Sequence, residues 1–390
     1  MSGNSVSKKK KILLAKLIIF LLFIAVIIFV LVSLAVQLIT GSSWLTGLWS
    51  KPPPSISVEE FNFDVGRDRV FASHDGHIAA VGTLGVKVLD FEGRETLRDP
   101  LRMSQPALKV SGKRFIAFDI GGSSVRIFNS TQILTSIETT GSVVSASLND
   151  NGWFCIVTQE GGGLRGTVAV YDTSGTKRFE VNMGSGFVLA AVLSNDNRNL
   201  AILNLSETGS RINFYYGLDT DRINEPDYMF DSYRGLIIDI SYLQNGDVLA
   251  ISTDSLFLVE SSGEGKMIHS FIDKRLGSYA FSDDFIALHL YDYGVGISGQ
   301  LLTFLTDGTA LGDIDFDREV FSLSTINKTA ILLKNDGVTF YNEELEEFPM
   351  SAQNLSIAGA TRIIAINDST AIAASDNSAV VVIKEREEER

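Results

Sequence analysis

One tetrad, apolar–any–apolar–bulky apolar, recurs eight times along this chain. It reads Val86-Lys87-Val88-Leu89, Val125-Arg126-Ile127-Phe128, Val168-Ala169-Val170-Tyr171 and Ile212-Asn213-Phe214-Tyr215. It continues as Leu256-Phe257-Leu258-Val259, Leu302-Thr303-Phe304-Leu305, Val338-Thr339-Phe340-Tyr341 and Val380-Val381-Val382-Ile383. Successive first positions lie 39, 43, 44, 44, 46, 36 and 42 residues apart. The alternation inside each tetrad is that of a half-buried strand, and a repeat near this length marks the blade of a propeller.

A second apolar run ends a few residues before each tetrad, as in Ile78-Val81, Phe154-Val157, Leu200-Leu203 or Phe285-Leu288. Before most of these runs stands a turn signal such as Asp75-Gly76, Asn151-Gly152, Asn245-Gly246 or Asp283-Asp284. Such residues tolerate positive φ or form side-chain turns, so they join consecutive antiparallel strands. Further upstream lies an innermost strand (Val143-Leu148, Val188-Leu193, Leu236-Tyr242), and after each tetrad comes a turn and a more polar outer strand. The expected fold is all-β: a β-propeller of eight four-stranded blades over residues 56–384, with seven blades as the alternative. Two packed β-sandwiches fit the eight similar units less well. The last unit has no outer strand of its own, because Ile383 leads into the charged tail at 385–390. Phe61, Phe63 and Val65 offer the missing alternation, so an N-terminal strand is expected to close the ring and remove two sheet edges.

Leu17 to Val36 is a run of twenty residues in which Ser33 is the single polar side chain among apolar neighbours and Gln37 follows it. At about 1.5 Å per residue it spans a hydrocarbon core of about 30 Å. Lys8 to Lys11 and Lys16 precede it, and no acid occurs before Glu59. The positive-inside rule then predicts a cytoplasmic tail at 1–11, a signal-anchor helix at 12–40 and export of the remainder of the chain into the cell envelope. A cleaved signal peptide is the rival reading, from the small residues around Ser33-Leu34-Ala35, but its apolar region would be unusually long. Lys11, Lys16, Trp44 and Trp49 are candidate membrane-interface residues, and Pro52-Pro53-Pro54 makes the 41–55 linker a short polyproline spacer.

The formal net charge is −14. With five lysines and no acid in the first 41 residues, about −19 remains on the part beyond. Such a domain is repelled by nucleic acid, so no nucleic-acid partner is expected. Cys155 is the one cysteine, and its place in a core-type strand predicts an inert buried thiol.

Catalytic and cofactor motifs are sparse, and no cofactor or metal is expected. His74 and His77 flank a turn without helical ligand spacing or a nearby cysteine. Gly161 to Gly166 formally satisfies G-x-G-x-x-G, yet it joins two antiparallel strands instead of opening a helix. Asp313, Asp315 and Asp317 alternate along an outer strand as a solvated acidic face, and the acids from Asp219 to Asp231 crowd the longest loop without calcium-loop spacing. Aromatic clusters point instead to recognition: Tyr291, Asp292 and Tyr293 in a glycine-softened loop, with Tyr228 and Phe230 near the fourth unit's long loop.

In blade length and strand pattern the chain resembles WD40-like and quinoprotein-like repeats. Leu89-Asp90, Phe128-Asn129, Tyr171-Asp172 and Tyr341-Asn342 stand where a WD repeat would place Trp-Asp, although tryptophan is never there. The full layout of basic tail, single anchor, Trp/Pro linker and divergent propeller resembles a bacterial domain-of-unknown-function family of single-pass, membrane-anchored propellers. That resemblance transfers no catalytic residue. The expected function is a non-enzymatic platform at the cell membrane that binds another envelope protein or a peptide. The alternative is a glycan-binding, small-ligand-binding or carbohydrate-active propeller that uses its central channel, favoured if acids and tyrosines converge at a channel mouth.

Overall fold

The computed structural model describes residues 61, 63–159, 165–218, 225–232, 235–282, 285–294, 297–348, 359–375 and 378–384. The chain divides into two units, 1–56 and 57–390, and the described residues belong to the second. The expected anchor and linker, with Lys11, Lys16, Trp44 and Trp49, lie outside the described residues, as do Gly161 to Gly163 and the 385–390 tail. Among the described residues no helix is long and apolar enough to cross a membrane.

Within the second unit the described strands form eight antiparallel sheets, here blades 1 to 8. They cover residues 70–99, 106–138, 142–183, 187–232, 237–270, 274–316, 320–341 and 362–383. Blades 1 to 6 have four strands and blades 7 and 8 have three, with a bridge from Tyr341 to Glu347 continuing blade 7. Every tetrad forms the third strand of its blade, as in Gly166–Tyr171 or Gly299–Leu305. The preceding apolar runs form the second strands, for example Phe154–Gln159 and Phe285–Asp292. The turns close as their residues predict, with φ of 43° at Asp75 and 75° at Gly76.

The middle strands are buried on both faces, not one. Cys155, Val157, Val168 and Val170 enter the cluster between blades 3 and 4, while Phe154 and Ile156 enter the cluster between blades 2 and 3. One apolar cluster fills each seam between adjacent blades, and the cluster joining blade 8 to blade 1 shows that the ring is closed. The unrestricted position of the tetrad therefore faces a neighbouring blade as well. Four polar side chains at this position are paired. Lys87 reaches Glu95 at 3.3 Å, Arg126 reaches Asp99 at 2.5 Å, Asn213 donates to Asn204 at 2.8 Å, and the Thr303 hydroxyl donates to the Glu343 carbonyl at 2.7 Å.

Closure differs from the expected extra strand. Phe61, Phe63 and Val65 are buried in the seam between blades 8 and 1, beside Ile364, Ile372 and Leu89. Phe63 meets Phe71 edge-on at 4.7 Å between ring centres. None of these three residues lies in a strand. Their backbone instead ties to the blade 1 hairpin, where Leu84 N–H donates to the Val65 carbonyl at 2.8 Å. The segment closes the ring as an apolar wedge, because side-chain burial there does not require strand pairing with blade 8.

Candidate recognition rim and channel mouth

Strand direction sorts the turns onto two rims. Turns after the first and third strands of each blade share one rim; turns after the second strands and the connections to the next blade share the other. The first rim is polar and tightly capped. Asp90 Oδ1 accepts from the backbone N–H of Glu92 and Arg94, and Asp172 Oδ1 from those of Ser174 and Thr176. Asn129 caps Thr131 and Gln132, and Asn342 caps Glu344 and Glu346, in the same way. These four are the residues that stand at the Trp-Asp position, so their physical role is to close the outer hairpin by a side-chain turn. Arg178 adds a 2.6 Å ion pair to Asp172. Hydrogen bonds led by the Ser174 hydroxyl hold the Asp172 carboxyl well below the usual carboxylate range.

The opposite rim carries exposed apolar side chains: Leu84, Ile120, Phe187, Leu236, Ile238, Ile272, Tyr293, Ile297 and Phe321. Two of them arise from β-bulges. The pairing register shifts between Ile237 and Asp239 and between Val320 and Ser322, which leaves Ile238 and Phe321 unpaired and turned outward, each 41% exposed. Arginines accompany the aromatic groups, with Arg165 over Phe187 at 4.9 Å and Arg275 over Tyr291 at 5.1 Å. Sequence reasoning missed Ile238 and Phe321. Their signal was a break in alternation, Leu236-Ile237-Ile238 and Val320-Phe321, at the start of an innermost strand.

The aromatic clusters singled out from sequence are separated by this topology. Tyr293 stands on the apolar rim and is 68% exposed. Tyr291 beside it is half-buried, donates its hydroxyl to the Val320 carbonyl at 2.9 Å and packs on His289 at 4.4 Å, stapling blade 6 to blade 7. Asp292 pairs with Lys274 at 2.8 Å, and that contact lowers its carboxyl pKa. Tyr228 and Phe230 belong to the outer strand of blade 4, Tyr228–Ser232, away from that loop. Tyr228 is exposed, while Phe230 packs on Phe257 at 5.7 Å in the seam with blade 5.

Inside the ring, the C-terminal ends of the innermost strands of blades 2 to 6 enclose a cavity of about 560 Å³ that opens on the polar rim. Lys109 of blade 2 reaches across the channel to Asp239 of blade 5 at 3.2 Å. The Tyr279 hydroxyl of blade 6 donates to the other Asp239 oxygen at 3.3 Å. Burial, followed by the Asp239 charge, pushes the Tyr279 pKa up. Tyr242 contributes to the same lining, but its hydroxyl is buried in the seam between blades 4 and 5 without a hydrogen-bond partner among the described residues, and burial raises its pKa as well. Ser111 donates to Asp150 at 2.5 Å, and the Asn195 amide donates to the same carboxylate at 3.0 Å. Acids and tyrosines thus converge at one channel mouth.

The remaining candidates have ordinary structural roles. Cys155 is fully buried and hydrogen-bonded to Ser147, and burial pushes its thiol up to about 11. His74 packs edge-on against Phe115 at 4.7 Å, with 6.2 Å between its ring centre and that of His77. Asp313 and Asp315 are exposed on the outer strand Ala310–Phe316, and Gln300 donates to Asp313 at 2.6 Å.

The model of a family of unknown function, DUF5711, matches residues 58–344. No curated protein matches the chain. Among solved structures, the C-terminal WD40 domain of Sif2 is similar with a TM-score of 0.57 and 16% identity, over 84% of this chain and 98% of that one. Sqt1 of Saccharomyces cerevisiae is similar with a TM-score of 0.56 and 11% identity, over 84% and 97%. BamB from Moraxella catarrhalis reaches 0.49 at 14% identity, over 84% and 99%. At such identities the likeness to Sif2 and Sqt1 establishes the propeller fold alone.

Proposed function

From the premise that this chain belongs to the DUF5711 family, we propose that it is a non-enzymatic binding platform for another protein or a peptide, engaged through the apolar rim. The observation that carries this reading is the concentration of exposed apolar and aromatic side chains, with arginines beside them, on one face of the ring. Isolated exposed apolar residues are ordinary on any surface, whereas a rim of them interleaved with Tyr, Phe and Arg has the composition of an interface core. The fold shared with the WD40 domain of Sif2 supports the same reading, since stacked repeats present broad surfaces built from many loops. The polar rim, whose turns are capped by their own side chains, offers fewer unsatisfied contacts.

The partner belongs to the cell envelope if the N-terminal segment acts as an uncleaved signal anchor, and the apolar run with its preceding lysines supports that placement. The test is crosslinking in membranes of the full-length chain, followed by identification of the proteins that co-purify, beside a Leu84→Glu/Phe321→Glu variant. Reproducible partners lost from the variant are the expected result; partners unchanged by it would end the rim assignment. Protease shaving of intact cells tests the placement, because an exported propeller is digested and a cytoplasmic one is protected.

A further inference from the structure

The channel mouth lies on the rim opposite the apolar face, and its lining is that of a small-molecule site. We propose that this cavity binds a neutral polyhydroxylated ligand of sugar size. Its volume of about 560 Å³ falls within the range of about 300–1,000 Å³ usual for such sites. The Lys109–Asp239 bridge forms its floor, because both residues sit midway down their strands, Pro106–Ser111 and Ile237–Tyr242, while the rest of the lining lies toward the polar rim.

The two walls differ in chemistry. Blades 5 and 6 contribute Tyr242, Tyr279 and Phe281, and blades 2 to 4 contribute Ser111, Asp150 and Asn195. An aromatic wall offers flat apolar area to the C–H face of a sugar ring at small entropic cost. Facing it, hydroxyl, amide and carboxylate groups supply donors and acceptors together, the mixture that ligand hydroxyls require. Charge argues for neutrality. Lys109 and Asp239 neutralise each other at 3.2 Å, and an anion entering from the rim would meet the Asp150 carboxylate.

This site and the rim interface stand on different observations and fail separately. The test is saturation-transfer NMR on the full-length chain in a detergent without a sugar headgroup. The probes are N-acetylglucosamine, its β-1,4 disaccharide and maltose, with glycine betaine and inorganic phosphate alongside. The expected result is saturation transfer to ring protons of a saccharide at millimolar concentration. Affinity should fall about tenfold, the loss of one good hydrogen bond, in Asp150→Ala, which removes an acceptor from the polar wall. Asp239→Asn should weaken it likewise, and Leu84→Glu/Phe321→Glu should leave it unchanged. No transfer from any saccharide, binding indifferent to Asp150→Ala, or binding of betaine or phosphate in place of sugars would overturn the assignment. Should Asp239→Asn fail to fold, Asp150→Ala alone decides the outcome.

Discussion

At the residue scale, single polar groups do the work of holding turns and seams whose main bulk is apolar. Asp172 accepts from two backbone N–H groups, the Ser174 hydroxyl and Arg178. Asp172→Ala should destabilise the fold by about 1–3 kcal/mol in urea unfolding, with Asp172→Asn keeping part of the cap. Its pKa is depressed in the folded state. Its contribution is therefore complete above the ordinary carboxylate range and is lost as pH falls through the lowered folded value. The buried histidines act in a higher window. His74 is held down at about 4 by burial first and the His77 charge second, against Asp75, and His289 at about 4 by burial alone. The unfolded chain takes up their protons first, so stability should fall as pH drops from about 6.5 toward 4. Urea midpoints across that range read the fall, and histidine ring resonances should show both side chains still neutral at pH 5. A native chain whose His289 titrates near 6.5 would contradict the burial argument. Cys155, fully buried with its thiol raised to about 11, should resist iodoacetamide until denaturant is added.

At the scale of elements, the wedge of Phe61, Phe63 and Val65 departs from the repeat, whereas bulges recur in most of the innermost strands. Phe61 and Phe63 fill the closing seam, so Phe63→Ala should cost about 3–5 kcal/mol, as for other large core aromatics. Tyr293→Ala, on an exposed loop, should stay within about 0.5 kcal/mol. Equal losses from the two changes would mean that the wedge is dispensable. The bulges at Ile238 and Phe321 convert apolar residues of a core-type strand into rim residues. The same displacement sets the register of Asp239, one residue beyond the first bulge, at the floor of the channel mouth. One backbone irregularity thus serves both candidate sites.

For the whole molecule, the ring joins eight sheets through eight apolar seams, and each sheet touches its two neighbours. Removing blade 8 with a stop after Asn342 should expose the clusters on blades 1 and 7, yielding a species that binds a hydrophobic dye and lacks a cooperative unfolding transition. A sharp transition in that truncation would show that closure is unnecessary. Much of this architecture is legible in the sequence. The eight tetrads, the runs before them and turns such as Asp75-Gly76 specify strand after strand locally, because alternation and turn chemistry act over a few residues. Closure by the N-terminal segment was legible as spare alternation opposite a missing strand, but Phe61 and Phe63 close the ring as seam side chains and not as that strand. Other features depended on partners distant in the chain. Arg126 looks like an exposed position of a half-buried strand until the neighbouring blade brings Asp99 against it. Tyr291 and Tyr293 are near-identical in sequence context, yet one staples two blades and the other faces solvent. Lys109 and Asp239 are 130 residues apart and meet because ring closure sets blade 2 across the channel from blade 5. Local periodicity determined the strands and their number; the sides of the ring, the pairs across it and the cavity they floor were decided by closure, which joins groups that no short window of sequence contains.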